Sequence, residues 1–296
     1  MRIIIKIISD NQDDIAFIIG NGINRYNNNN KLLSWDRILL SLWEKVTSTT
    51  LSKVPDGVSF TEFYDILQLN NNQIDYQKSV IEMMIDWEPK DHHRTVVSAI
   101  RELGAPILTT NYDETLSRTD NLRLFRVTES SFTDYYPWSS YHGDREFDLP
   151  LEGFGIWYIN GMINYRRSIR MGLSDYMASV GRVRPWIHKD EGDNNFEGKN
   201  QNYWPGYQTW LHIIFNKSLF IFGLGLEENE TFLRWLLIER KKYFKKFSYR
   251  EPKGWYIDKK GSSRNNAGKE FFLNNVGIKT IKVDSYDDIY DTIWRL

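Results

Sequence analysis

Three short apolar runs, each stopping abruptly at glycine or a polar cluster, restrict what this chain can fold into. Ala16-Phe17-Ile18-Ile19 enters Gly20-Asn21-Gly22, and Leu219-Phe220-Ile221-Phe222 enters Gly223-Leu224-Gly225. Between them, Pro106-Ile107-Leu108 enters Thr109-Thr110-Asn111-Tyr112-Asp113. Apolar runs of this length read as strands buried on both faces, the kind found in parallel sheets covered by helices. Such sheets hold their ligands at the carboxyl ends of the strands, so the three polar ends are expected around one crevice.

The rest of the chain fits that frame. Residues 3–8, five isoleucines and a lysine, read as another strand, at a sheet edge. Four asparagines at 27–30 mark a loop that opens an insertion. From Trp35 to Leu103 the apolar spacing becomes helical, as in Trp35, Ile38, Leu39, Leu42, Trp43 and Val46, and predicts about four helices, the last with Asp91 as N-cap. Residues 125–150 are polar and aromatic without a period, hence an ordered loop, and 156–159 return to strand character before Asn160-Gly161. Residues 182–206, rich in Asn, Gly, Asp and Lys, read as a lid or a partner-ordered loop. The tail alternates strand and helix: helices near 210–215, 228–247, 269–275 and 286–294, strands near 219–222, 255–257 and 278–283. The expected fold is α/β, a Rossmann-like, mostly parallel sheet with helices on both faces. Residues 1–34 and 104–296 make the main domain and 35–103 a helical insertion.

Composition narrows the chemistry. The chain has no cysteine, which excludes disulfides, a thiolate nucleophile and Cys-based zinc sites. With 38 Lys+Arg against 39 Asp+Glu, no global field draws it to nucleic acid or anionic lipid. No apolar run is long enough for a signal peptide or a membrane span, so a soluble cytoplasmic protein is expected. Its 11 Trp, 17 Tyr and 16 Phe supply either interface anchors or a large aromatic core.

Gly20-Asn21-Gly22-Ile23-Asn24-Arg25 is a glycine fingerprint lacking its third glycine, and serves either a pyrophosphate or an ordinary turn. Asn111 and Asp113 suit a ribose hydroxyl or a water, or a helix cap. Gly223 and Gly225 bring another backbone turn to the same rim. His142 lies in a His-Gly pair within the aromatic stretch. Arg166, Arg167 and Arg170 are placed to meet phosphates, and Arg240-Lys241-Lys242 with Lys245-Lys246 forms a basic helix face, solvated or DNA-contacting. The histidines show no metal-ligand spacing, and a DNA-acting nuclease lacks a paired-carboxylate metal motif.

Taken in order, these pieces resemble the sirtuin-like (silent information regulator type) superfamily, in the bacterial branch that hydrolyses NAD. Ile18-Ile19-Gly20-Asn21-Gly22 with Asn24 and Arg25 is similar to the first glycine motif, and Thr109-Thr110-Asn111-Tyr112-Asp113 to the Thr-Asn-Asp motif. Residues 157–176 resemble the stretch that carries a catalytic His-Gly pair, and Phe222-Gly223-Leu224-Gly225-Leu226 the late glycine motif. The resemblance implies an NAD-binding Rossmann-like domain, with Gly20, Asn21, Gly22, Asn24, Arg25, Thr110, Gly223 and Gly225 toward the dinucleotide. Asn111, Asp113, and His142 or the residue at 160 would carry catalysis. It implies NAD as substrate, no zinc, and an NAD glycohydrolase acting in anti-phage defence as a homo-oligomer on a HerA-type ATPase, with an indirect association with DNA through that partner. One departure stands out: Asn160 occupies the position of the expected histidine, and a carboxamide does not titrate. A nucleotide-sensing scaffold without chemistry is therefore the alternative.

Overall fold

The computed structural model describes residues 2–27, 34–130, 132–188, 203–262 and 266–295. Among these, eight strands form one sheet: β1 (Ile15–Ile19), β2 (Ile107–Thr109), β3 (Arg123–Arg126), β4 (Ser140–Gly143), β5 (Gly155–Tyr158), β6 (Ser218–Phe222), β7 (Gly254–Lys259) and β8 (Lys279–Val283). The spatial order is β3-β4-β5-β2-β1-β6-β7-β8. The six strands from β5 to β8 are all parallel, while β4 runs antiparallel to both β5 and β3. Counting the parallel strands alone, the chain runs outward from β1 on one side and returns to start again beside it with β6. That is the strand order of dinucleotide-binding folds, with its reversal between β1 and β6.

Why the strands lie here follows from their two faces. Ala16, Ile18, Leu108, Trp157, Leu219 and Ile221 point to one side, Phe17, Ile19, Ile107, Ile156, Phe220 and Phe222 to the other, and all are fully buried. The first face is covered by α7 (Leu173–Ile187), α8 (Trp210–Asn216), α9 (Thr231–Lys246) and α10 (Asn266–Asn275). The second is covered by α1 (Arg2–Asp10), α6 (Asp91–Glu102) and the C-terminal turns around α11 (Asp287–Tyr290). Much of the aromatic surplus is core: Tyr141, for example, stacks between Phe147 at 4.8 Å and Trp157 at 4.6 Å.

The insertion contains α3 (Trp35–Thr47), α4 (Phe60–Asn70) and α5 (Tyr76–Met84), which share a third core with Tyr112, Ile169 and Met171. The fourth helix, α6, instead lays Val96, Val97 and Ile100 on the sheet. Its N-cap is Lys90, so Asp91 is the first helical residue rather than the cap. Ser59 caps α4 by a reciprocal capping box with Glu62.

Three expectations are corrected. Residues 3–8 are not an edge strand but lie within α1, with Ile4 buried and Ile7 and Ile8 half-buried on the second core. A run of isoleucines satisfies a period of two and of 3.6 equally, and here the i, i+3, i+4 stripe against the sheet decides. Residues 125–150 are not all loop, because β4 lies among them and the loop's aromatics fill the core beneath it. The helix α7 runs on to Ile187, past the expected loop boundary at 182; the lid reading for 189–202 falls outside the described residues. Among the described residues, no helix is long and apolar enough to cross a membrane.

Candidate functional site

The sheet's reversal opens a cavity of about 290 Å³ at the carboxyl ends of β1, β2 and β6. Gly22, Asn111 and Gly225, one from each strand end, line it together, as do Asn21, Arg25, Thr110, Asp113, Asn160 and Gly223. The insertion closes the outer side with Trp35 and Ile38 of α3, Phe60 of α4 and Met84 of α5. Asn229, in the turn after β6, ties the two halves together by accepting the Phe60 backbone N–H at 2.8 Å. A second cavity of about 330 Å³ adjoins along Gly22, Arg25, Gly223, Leu224, Gly225 and Glu227 and extends toward β7. Of the residues lining both cavities, Arg25 is the single cation, and it forms no ion pair among the described residues.

Two glycine turns meet at this junction. A side chain at Gly20 would strike Leu224 and the Gly223 carbonyl, and one at Gly22 would strike Tyr290 and that same carbonyl. Gly22 N–H donates to Gly223 O at 2.6 Å. The glycines let β1 and β6 deliver their turns in contact, and the Gly22 amide is spent on that contact rather than on a ligand. Gly20 lies behind the cavity wall. The helix that follows, α2 (Gly22–Arg25), is only four residues long.

The β2 turn is held from several directions. Thr109 Oγ1 donates to Ile19 O at 2.8 Å and accepts the Asn111 N–H at 3.1 Å, fixing Asn111 at the floor. Asp113 accepts from Thr115 N–H at 3.0 Å and from Asn24 Nδ2 at 2.9 Å. Asn24 also donates to Asn21 Oδ1 at 3.0 Å, and its own Oδ1 lies 3.0 Å from His93 Nε2. His93 Nδ1 accepts the Lys90 backbone N–H, so Nε2 must carry the ring's proton. That sets the polarity of the chain from Lys90 through His93 and Asn24 to Asp113. Burial pushes His93 down to about 3, keeping the ring neutral, and pushes Asp113 above the ordinary carboxylate range against the pull of its Thr115 and Asn24 hydrogen bonds.

Asn111 is the opposite case. It is 6% exposed, and neither its Oδ1 nor its Nδ2 has a hydrogen-bond partner among the described residues. Both atoms are therefore free to hydrogen-bond what enters the cavity that Asn111 lines. Asn160 stands nearby, 5% exposed, and Arg170 N–H donates to its carbonyl at 2.9 Å. Gly161 follows at φ +99, where any Cβ would strike the Ser168 carbonyl, so this turn is tightly fixed.

Several expected site residues lie elsewhere. His142 on β4 is outside the cavity, its ring edge-on to Tyr158 and its Nε2 3.5 Å from Glu114 Oε1. Glu114 also accepts from Asn164 and pairs with Arg118; the His142 ring first, then these partners, hold its carboxylate at about 2 against burial. His142 is thus buried against Glu114 and Tyr158, away from the cavity lining. Asn24 is likewise behind the wall, bracing Asp113. Arg166 pairs with Asp75, Arg167 donates to Tyr135, and Arg170 donates to the Tyr135 carbonyl and pairs with Asp175, so none lines the cavity. The basic face of α9 is broken too: Arg240 is buried and donates to the carbonyls of Ile214 and Pro252, while Lys241 and Lys242 pair with Glu251 and Glu239.

Sequence reasoning missed Glu230, Tyr176 and the His93 brace. Glu230 directly follows Glu227-Glu228-Asn229 at the start of α9, so its position was readable, but its turn into the cavity was not. Tyr176 arrives from α7, over sixty residues from β2 in sequence. Among the described residues, no cluster of three or more His, Asp or Glu suited to a metal occurs. The chain matches no protein-family model, and no curated protein matches its sequence.

Proposed function

We propose that this protein binds NAD across the two joined cavities and hydrolyses it to nicotinamide and ADP-ribose. The observation that carries the reading is Asn111: a buried carboxamide with neither atom hydrogen-bonded among the described residues, lining a cavity where a Rossmann-like sheet reverses. A carboxamide offers one acceptor and two donors, which suits a ribose hydroxyl, a nicotinamide amide or an attacking water. The adjoining cavity gives room for a second nucleoside, and Arg25 stands where the two meet, suited to a pyrophosphate. Breaking the nicotinamide–ribose bond develops positive charge on the sugar, and a buried site with fixed dipoles favours that more than a strong nucleophile would. The motif resemblance supports the same substrate and extends it to a homo-oligomeric effector on a HerA-type ATPase.

Asn160 favours a second reading, a nucleotide-sensing scaffold of such an assembly without chemistry. Incubating the purified chain with NAD, alone and with the ATPase, separates the two. The first reading expects saturable NAD binding and release of nicotinamide; the second expects binding without release. Light scattering after size-exclusion chromatography tests the assembly, and a monomer indifferent to the ATPase would remove that part.

A further inference from the structure

The proposed reaction needs a group to take a proton, and the residues first suspected do not serve. Asn160 cannot titrate, His142 lies outside the cavity against Glu114, and both Asp113 oxygens accept hydrogen bonds from Thr115 and Asn24. Glu230 remains. It is the N-cap residue of α9, yet its side chain makes no capping hydrogen bond and lines the cavity with Asn111 and Asn160. A carboxylate at a helix start ordinarily satisfies an exposed backbone N–H; this one forgoes that partner.

Resting on the NAD-hydrolase reading, we propose that Glu230 is the general base that accepts the proton of the attacking water. The water oxygen bonds to C1′ of the nicotinamide ribose as the C1′–N bond breaks. The electron pair of that bond neutralises the pyridinium ring, which leaves as nicotinamide. The water's proton passes to the Glu230 carboxylate and then to solvent, so NAD and water give nicotinamide, ADP-ribose and one proton.

The surroundings suit the role. Glu227 on the preceding turn adds like charge, Tyr112 from the β2 turn and Tyr176 from α7 lie within electrostatic reach of it, and Asp36, Asp113 and Arg25 line other parts of the same cavity. The Tyr112 hydroxyl is engaged by the Arg170 carbonyl. Arg234, the nearest cation on α9, is turned away onto the Leu226 carbonyl and the Phe272 ring. Burial first, and Glu227 second, raise Glu230 to about 7, where it exchanges a proton readily near neutral pH.

The test is Glu230→Gln, with NAD binding read by calorimetry and nicotinamide release read from pH 5 to 9. The expected result is NAD affinity within a few-fold of the parent, a loss of turnover of about 100-fold or more, and loss of the parent's rise in kcat through pH 7. Glu230→Ala, with formate added to stand in for the missing carboxylate, is expected to recover part of the turnover, and serves if the Gln variant folds poorly. Parental kcat and pH profile in Glu230→Gln would overturn the assignment of the base while leaving NAD hydrolysis intact. A parent chain that binds NAD without releasing nicotinamide would remove both the base and the hydrolase reading.

Discussion

Asp113 and Asn111 lie two residues apart on one turn and have opposite fates. Asp113 is held by Thr115, Asn24 and, behind them, His93 and Lys90, while the Asn111 carboxamide makes no hydrogen bond among the described residues. Both are buried, so the difference is not exposure. A satisfied buried network rigidifies what it holds, whereas a cavity-lining amide with no such partner is free to meet a ligand. Asp113 therefore reads as the brace of the turn and Asn111 as its contact with what binds there. The same contrast divides Glu114, tied to three partners, from Glu230, tied to none among the described residues.

The largest expected effect separates these roles by observable. Asn111→Ala should weaken NAD binding by about 10–100-fold, from the loss of one or two hydrogen bonds, and abolish measurable turnover, while unfolding at an unchanged or slightly higher temperature. Calorimetry and a thermal melt on one sample read both. If the melting temperature falls while NAD affinity holds, the assignment is reversed.

Asp113→Ala should behave the other way. It leaves the Thr115 N–H and one Asn24 N–H buried without acceptors, so it should lower stability by about 2–4 kcal/mol in urea denaturation. Stability within about 0.5 kcal/mol of the parent would mean that the network is not a brace.

A smaller effect depends on pH. His93 in the folded protein is depressed from the ordinary 6.5 to about 3 by burial. Below 6.5 the unfolded chain takes up a proton there and the folded chain does not, so stability should fall as pH drops from 6.5 toward 3. The slope is about 1.4 kcal/mol per pH unit for each such histidine, and His212, depressed to about 4 by burial, adds its own. In His93→Gln the slope should flatten by one histidine's share, whatever that variant's stability at pH 7. An unchanged slope would mean that His93 is protonated in the fold.

Asn160→His should have the smallest effect, a gain in nicotinamide release of about tenfold at most, because a titrating group would join a cavity that Glu230 already serves. A much larger gain would mean that position 160, not Glu230, is the natural seat of the base.

Much of this fold could be read from local pattern. The runs at 16–19, 107–108 and 219–222 are apolar on both faces, so their burial in a parallel sheet follows, and their glycine and asparagine ends converge as the sheet's reversal requires. Residues 3–8 misled because an isoleucine run has no period of its own to break the tie between strand and helix. The strand position of His142 was not legible, because a His-Gly pair looks the same in a loop and in a strand, and only pairing with β5 fixes it. Glu230 and His93 were hidden for another reason: their importance lies in which way each turns, and that is set by partners far off in sequence.

The most direct test watches both carboxamides at once. In nitrogen-15-labelled protein, with the two side-chain amide signals identified by their loss in Asn111→Asp and Asn24→Asp, NAD is titrated in. The Asn111 signal should shift as the sites fill and its hydrogen exchange should slow, while the Asn24 signal, already bonded to Asp113 and Asn21, stays nearly in place. Saturable NAD binding that leaves the Asn111 signal unmoved would contradict the claim that this amide meets the ligand.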